Sequence, residues 1–152
     1  MSAVTIEETR YGLRMPVALP YEQALEKTTA ALKEQGFGIL TTIEIDKALK
    51  EKLGVDFRRY TILGACNPPL AHRALSTELE LGLLLPCNVI VYEQPDGGSV
   101  VAAMAPLPTI GALPAAPAPL SGPNKRTYMD CPDVLRTSPT IQWRPTFPPL
   151  ER

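Results

Sequence analysis

Two short stretches hold the residues with the most reactive side chains. Gly64-Ala65-Cys66-Asn67-Pro68-Pro69-Leu70-Ala71-His72 carries the single histidine and one of three cysteines, and Pro86-Cys87-Asn88 carries a second cysteine. Asn67 is suited to cap a helix, with Pro68 at the first helical position. A thiol just before that cap feels the positive end of the helix dipole, which favours thiolate. Cys66 is therefore expected either as a reactive or metal-binding thiol or as a small buried hydrophobe at a strand–helix junction.

Cys87-Asn88 repeats the Cys-Asn pair of Cys66-Asn67, and each pair lies at a strand end beside the same helix. If they meet, they form a pocket, a redox couple with Cys66 as nucleophile and Cys87 resolving, or two soft ligands. The alternative is two separate packing thiols, and their separation excludes a local Cys-x-x-Cys reading. His72, one turn into the helix, would complete a three-ligand set with Cys66 and Cys87 for zinc or copper. No short ligand pair anchors that set, and a lone helical histidine is more often simply exposed. Cys131 falls in an irregular tail and is read as incidental. The chain shows no Walker loop, no Gly-x-Gly-x-x-Gly, no nucleophile elbow and no paired metal motif, so no cofactor is expected.

The elements that must position these residues follow from periodicity. Residues 9–18 alternate Tyr11, Leu13, Met15 and Val17 against Arg10, Gly12 and Arg14, the pattern of a half-buried strand. Pro20 opens a helix through Gln35, with Ala24, Leu25, Thr28, Ala31 and Leu32 as its buried stripe and Gly36 as its stop. Residues 37–44 are β-rich, residues 45–53 form a short charged helix closed by Gly54, and residues 57–65 form a third strand. The helix beginning at Asn67 is expected to reach Leu81, packing through Leu70, Ala71, Ala74, Leu75, Leu79 and Gly82. Pro86 then introduces a strand over 87–93, and Asp96-Gly97 turns it into a hairpin with 99–104. The order β-α-β-(short α)-β-α-β-β describes an α+β domain of two layers, an antiparallel sheet with helices on one face.

Composition changes sharply near residue 105. Eleven of the 17 prolines lie between Pro106 and Pro149, too frequent for a helix or a central strand. The chain thus divides into an N-terminal extension (1–8), an α+β domain (9–105) and a Pro-rich irregular tail (106–152). Pro-x-x-Pro spacings occur in the tail, but in so Pro-rich a segment they arise by chance.

The bulk composition excludes several function classes. A net charge of -1 with 20% charged residues lacks the clustered Lys and Arg that nucleic acid or an anionic membrane requires. The longest apolar runs fall far short of the roughly 20 residues that span a bilayer. The N-terminus is acidic and has no apolar core, unlike a signal peptide, so a cytoplasmic protein with reduced thiols is expected.

Three blocks, YEQALEKTTAALKEQGFGILTTIEI, LGACNPPLAHRAL and LLLPCNVIVYE with its following Gly turn, together resemble the bacterial and archaeal domain-of-unknown-function 302 family over residues 11–105. The resemblance implies a two-layer α+β fold of the TATA-binding-protein-like class, frequent dimers and no established activity. It carries Cys66, Asn67, Cys87 and Asn88 over as motif positions. The family's Asp-Pro segment is replaced here by Ala105-Pro106, and Pro114 to Pro123 is a stretch that cannot form the family's terminal helix. Two main functions follow as expectations: a homo-oligomeric binding or accessory domain with a small-ligand pocket at the two Cys-Asn pairs, and a thiol-based redox or sulfur-handling protein. Soft-metal binding through Cys66, His72 and Cys87 is a third.

Overall fold

The computed structural model of the chain describes residues 5–104. Six strands form one antiparallel sheet: β1 (Glu7–Glu8), β2 (Gly12–Val17), β3 (Gly38–Glu44), β4 (Tyr60–Cys66), β5 (Cys87–Glu93) and β6 (Ser99–Met104), in the spatial order β1-β2-β6-β5-β4-β3. Three helices join them: α1 (Tyr21–Glu34), α2 (Ile45–Leu53) and α3 (Pro68–Thr77). The fold is α+β, as the periodicity predicts.

Strand alternation creates the core. Leu13, Met15 and Val17 of β2, Thr61, Leu63 and Ala65 of β4, Val89 and Val91 of β5, and Ser99, Val101 and Ala103 of β6 are buried on one face. Against that face α1 lays Ala24, Thr28, Ala31 and Leu32, the stripe at three- and four-residue steps. Buried polar groups on the face are satisfied, as burial demands. The Tyr21 and Thr61 hydroxyls share a hydrogen bond, and Ser99 Oγ donates to the Leu19 carbonyl at 2.8 Å. Thr28 Oγ1 donates to the Ala24 carbonyl at 2.7 Å.

The β5–β6 hairpin closes as the Asp-Gly signal indicates. Gly97 takes φ 84, Asp96 Oδ1 accepts from the Gly98 N–H at 3.1 Å, and the Gln94 N–H donates to the Gly98 carbonyl at 2.8 Å.

Four expectations are corrected. Glu7–Glu8 pairs with Leu13 and Arg14, so part of the supposed extension is a sheet strand. The first and third strands are narrower than residues 9–18 and 57–65, and Cys66 closes β4 from within the strand. The last correction concerns α3, which stops at Thr77 rather than Leu81; a 3-10 segment, Leu79–Leu84, follows. The Ser76 and Thr77 hydroxyls donate back to the His72 and Arg73 carbonyls at 2.7 and 3.0 Å, a competition that weakens a helix end. Glu78 then turns extended, at φ -150 and ψ 113. Of the expected packed side only Ala74 is buried, and Leu79 is 82% exposed. The Pro-rich tail, Cys131 and the expected loss of the terminal helix all concern residues outside the described ones.

Gly64 marks the closest approach in the sheet. A Cβ there would run into Thr41 Oγ1 and come within 2.7 Å of Pro86 Cγ. Pro86 can yield only by a change of ring pucker or a backbone shift, so Gly64→Ala is expected to cost about 1–3 kcal/mol. Thermal unfolding checks this: a melting temperature equal to that of the parent would show that the junction can relax.

Candidate functional site

The two Cys-Asn pairs do meet at one end of the sheet, but with their side chains divided. The β4–β5 register sets Ala65 opposite Cys87 and Gly64 opposite Asn88. Successive strand residues point to opposite faces. Cys87 therefore shares the α1 face with Ala65, where it packs against the core cluster. Cys66, one residue past Ala65, leaves on the other face; it is 8% exposed and outside that cluster. Neither thiol is in a disulfide.

Asn67 does what its position predicts. Its Oδ1 accepts the Leu70 N–H at 3.3 Å, with Pro68 at the first helical position. The amide oxygen is thereby committed to holding α3. Asn88 is exposed on the face opposite the core, and His72 is exposed on α3. Among the described residues no group of three His, Cys, Asp or Glu side chains is placed to hold a metal ion. Cys66, His72 and Cys87 are not brought together as a ligand set.

Of the two readings of Cys66, burial favours the small buried thiol over the thiolate. Burial pushes the Cys66 thiol up from its ordinary value, and the nearby Cys87 thiol adds to the rise. Desolvation of the side chain at the end of β4 outweighs the pull of the helix dipole.

The sequence reading missed an aromatic row on the sheet face turned away from α1. Tyr60 and Tyr92 stand opposite each other in the β4–β5 register, with ring centroids 5.5 Å apart and planes 7° from parallel. Phe57 extends the row, 6.2 Å from Tyr60. Burial of the Tyr60 ring, with Tyr92 beside it, holds the Tyr60 hydroxyl above its ordinary pKa. Each tyrosine alternates correctly with the core residues Thr61 and Val91, a signal present in the sequence. Their pairing needed the register, which was not.

A single six-stranded antiparallel sheet with one helix laid across its core face defines a small two-layer α+β domain rather than a doubly wound one. Residues 13–121 match the family model for the Domain of unknown function DUF302, and the chain belongs to that family. The match runs past residue 105, where composition alone placed the domain boundary. The fold is similar to the crystal structure of an uncharacterized conserved DUF302 protein from Bacillus stearothermophilus. The two share 31% identity and a TM-score of 0.62 over 68% of this chain and 80% of the other. No curated protein matches.

The sign of the Cys66 shift gives a test. A thiol whose folded pKa is raised stabilises the fold fully below the unfolded value of about 8.5. That contribution is lost as pH climbs through the folded pKa. Iodoacetamide labelling of Cys66 in the folded chain is expected to be slow at neutral pH and to keep accelerating above pH 9. A plateau near pH 7, read by peptide mass mapping, would contradict the burial account.

Proposed function

We propose that this chain is a binding or accessory domain of a bacterial cytoplasm that works as a homo-oligomer, with Cys66, Asn67 and Cys87 serving as framework at the sheet end. The observation that carries this reading is the exposure of two leucines on the 3-10 segment, Leu79 at 82% and Leu83 at 86%. They stand four residues apart on one short element, and apolar groups so placed suit a protein contact. Asn88, exposed beside the buried Cys66 and the half-buried Cys87, is the group left available to a small ligand at the Cys-Asn pairs.

The geometry favours this over the thiol reading. A redox couple needs its two Cβ vectors aimed at one another, whereas the strand register sends the Cys66 and Cys87 side chains to opposite faces. The soft-metal reading lacks a converging third ligand among the described residues. No described helix is long and apolar enough to cross a membrane.

Light-scattering mass measurement on the full chain tests the proposal. The parent is expected to elute as an oligomer, and Leu79→Glu with Leu83→Glu to elute as a monomer with an unchanged melting temperature. A parent that is monomeric at high micromolar concentration would remove the homo-oligomer reading.

A further inference from the structure

The sheet face turned away from α1 carries an unbroken cross-strand row. The registers place Tyr60 opposite Tyr92, Tyr92 opposite Val100, and Val100 opposite Pro16, spanning β4, β5, β6 and β2. A second row, Ile62, Ile90 and Ala102, runs beside it on the same face. The buried core cluster draws none of its members from these rows, and within them Val100 is buried at 4% exposure while the others are at least partly exposed. The stacked, half-buried tyrosines and the exposed Phe57 at their end form an electron-rich aromatic row on this face. Such surfaces take proline rings, whose extended left-handed helix loses little entropy on binding.

The chain itself supplies that chemistry. Met104, the last described residue of β6, lies on this same face, four residues along the strand from Val100 and directly opposite Gly12. Beyond it the sequence continues for 48 residues, beginning Ala105-Pro106-Leu107-Pro108 and reaching Pro114, Pro117 and Pro119. At about 3.3 Å per strand residue and 4.8 Å between strands, Tyr92 lies roughly 14 Å from the end of β6 and Tyr60 roughly 16 Å. Ten residues of polyproline helix span about 31 Å, so Pro114 reaches the row with slack. A tether this short holds its own segment at roughly millimolar effective concentration, enough to populate a contact too weak to form between separate molecules.

We infer that residues 113–120 of this chain dock through their prolines on the Tyr60–Tyr92 row, making the Pro-rich stretch an internal ligand of the open sheet face. This surface is separate from the Leu79 and Leu83 contact proposed above, and its occupancy does not depend on oligomerisation. It also gives the Pro-x-x-Pro spacing Pro114-Ala115-Ala116-Pro117 a role.

Nitration by tetranitromethane, followed tyrosine by tyrosine in the full chain, tests it. Tyr11, 74% exposed, is the internal reference. Replacing Pro114, Pro117 and Pro119 together by Ser is expected to raise nitration of Tyr60 and Tyr92 about fivefold relative to Tyr11, as the tethered contact is lost. In the reverse direction, Tyr60→Leu with Tyr92→Leu is expected to speed chymotryptic cleavage after Leu120 by a similar factor, with the melting temperature retained. Equal nitration in parent and proline variant overturns the inference. So does protection that survives the proline changes but disappears on dilution, which would put a second copy on the row.

Discussion

The register between β4 and β5 is the constraint on which the rest of this structure depends. Side chains in a strand alternate with a period of two, so the pairing of Ala65 with Cys87 decides the face of every residue on both strands. It sends Leu63, Ala65, Val89 and Val91 under α1, where their burial drives folding. The same pairing puts Tyr60, Ile62, Ile90 and Tyr92 on the opposite face and parts the two thiols. A slip of one residue would expose the core set and bury the tyrosines. Gly64 guards that register, since its missing side chain is what lets Thr41 and Pro86 close over the strand.

From this constraint the character of the sheet end follows. Chain turns at the end of β4 need a cap, and Asn67 supplies it by accepting the Leu70 N–H. Cys66, just before the cap, is buried on the face opposite α1, and that burial pushes its thiol up. Residues that look reactive when written in a line thus become parts of a junction. Dipole and desolvation act on the same thiol with opposite sign; at a buried strand end, desolvation prevails.

Much of the fold was legible before any coordinates. The helix over Ile45–Leu53 with Gly54 after it, and the strands Cys87–Glu93 and Ser99–Met104, match the elements that periodicity and turn chemistry predict. These segments have strong local signals: a left-handed Gly54 at φ 70 and an Asp-Gly turn. The end of α3 was not legible, because leucines at helical spacing read the same whether buried or exposed. The backbone turns extended at Glu78 after Ser76 and Thr77, residues of weak helix propensity. That the two cysteines lie near one another was legible; their facing was not. Cys66 and Cys87 are indeed neighbours, yet which face each occupies depends on pairing across strands, which no local pattern encodes. The Tyr60–Tyr92 stack was hidden for the same reason.

The central claim is that register, and not proximity, governs these cysteines. Mild oxidation of the folded chain with diamide, followed by non-reducing tryptic mapping, tests it directly, because cleavage at Arg73 separates the Cys66 peptide from the Cys87 peptide. The account predicts that the two peptides stay unlinked while the chain is folded. It predicts that a Cys66–Cys87 link appears only once denaturant releases the strands. A Cys66–Cys87 disulfide formed within the native chain would contradict the opposed-face geometry and restore the thiol couple.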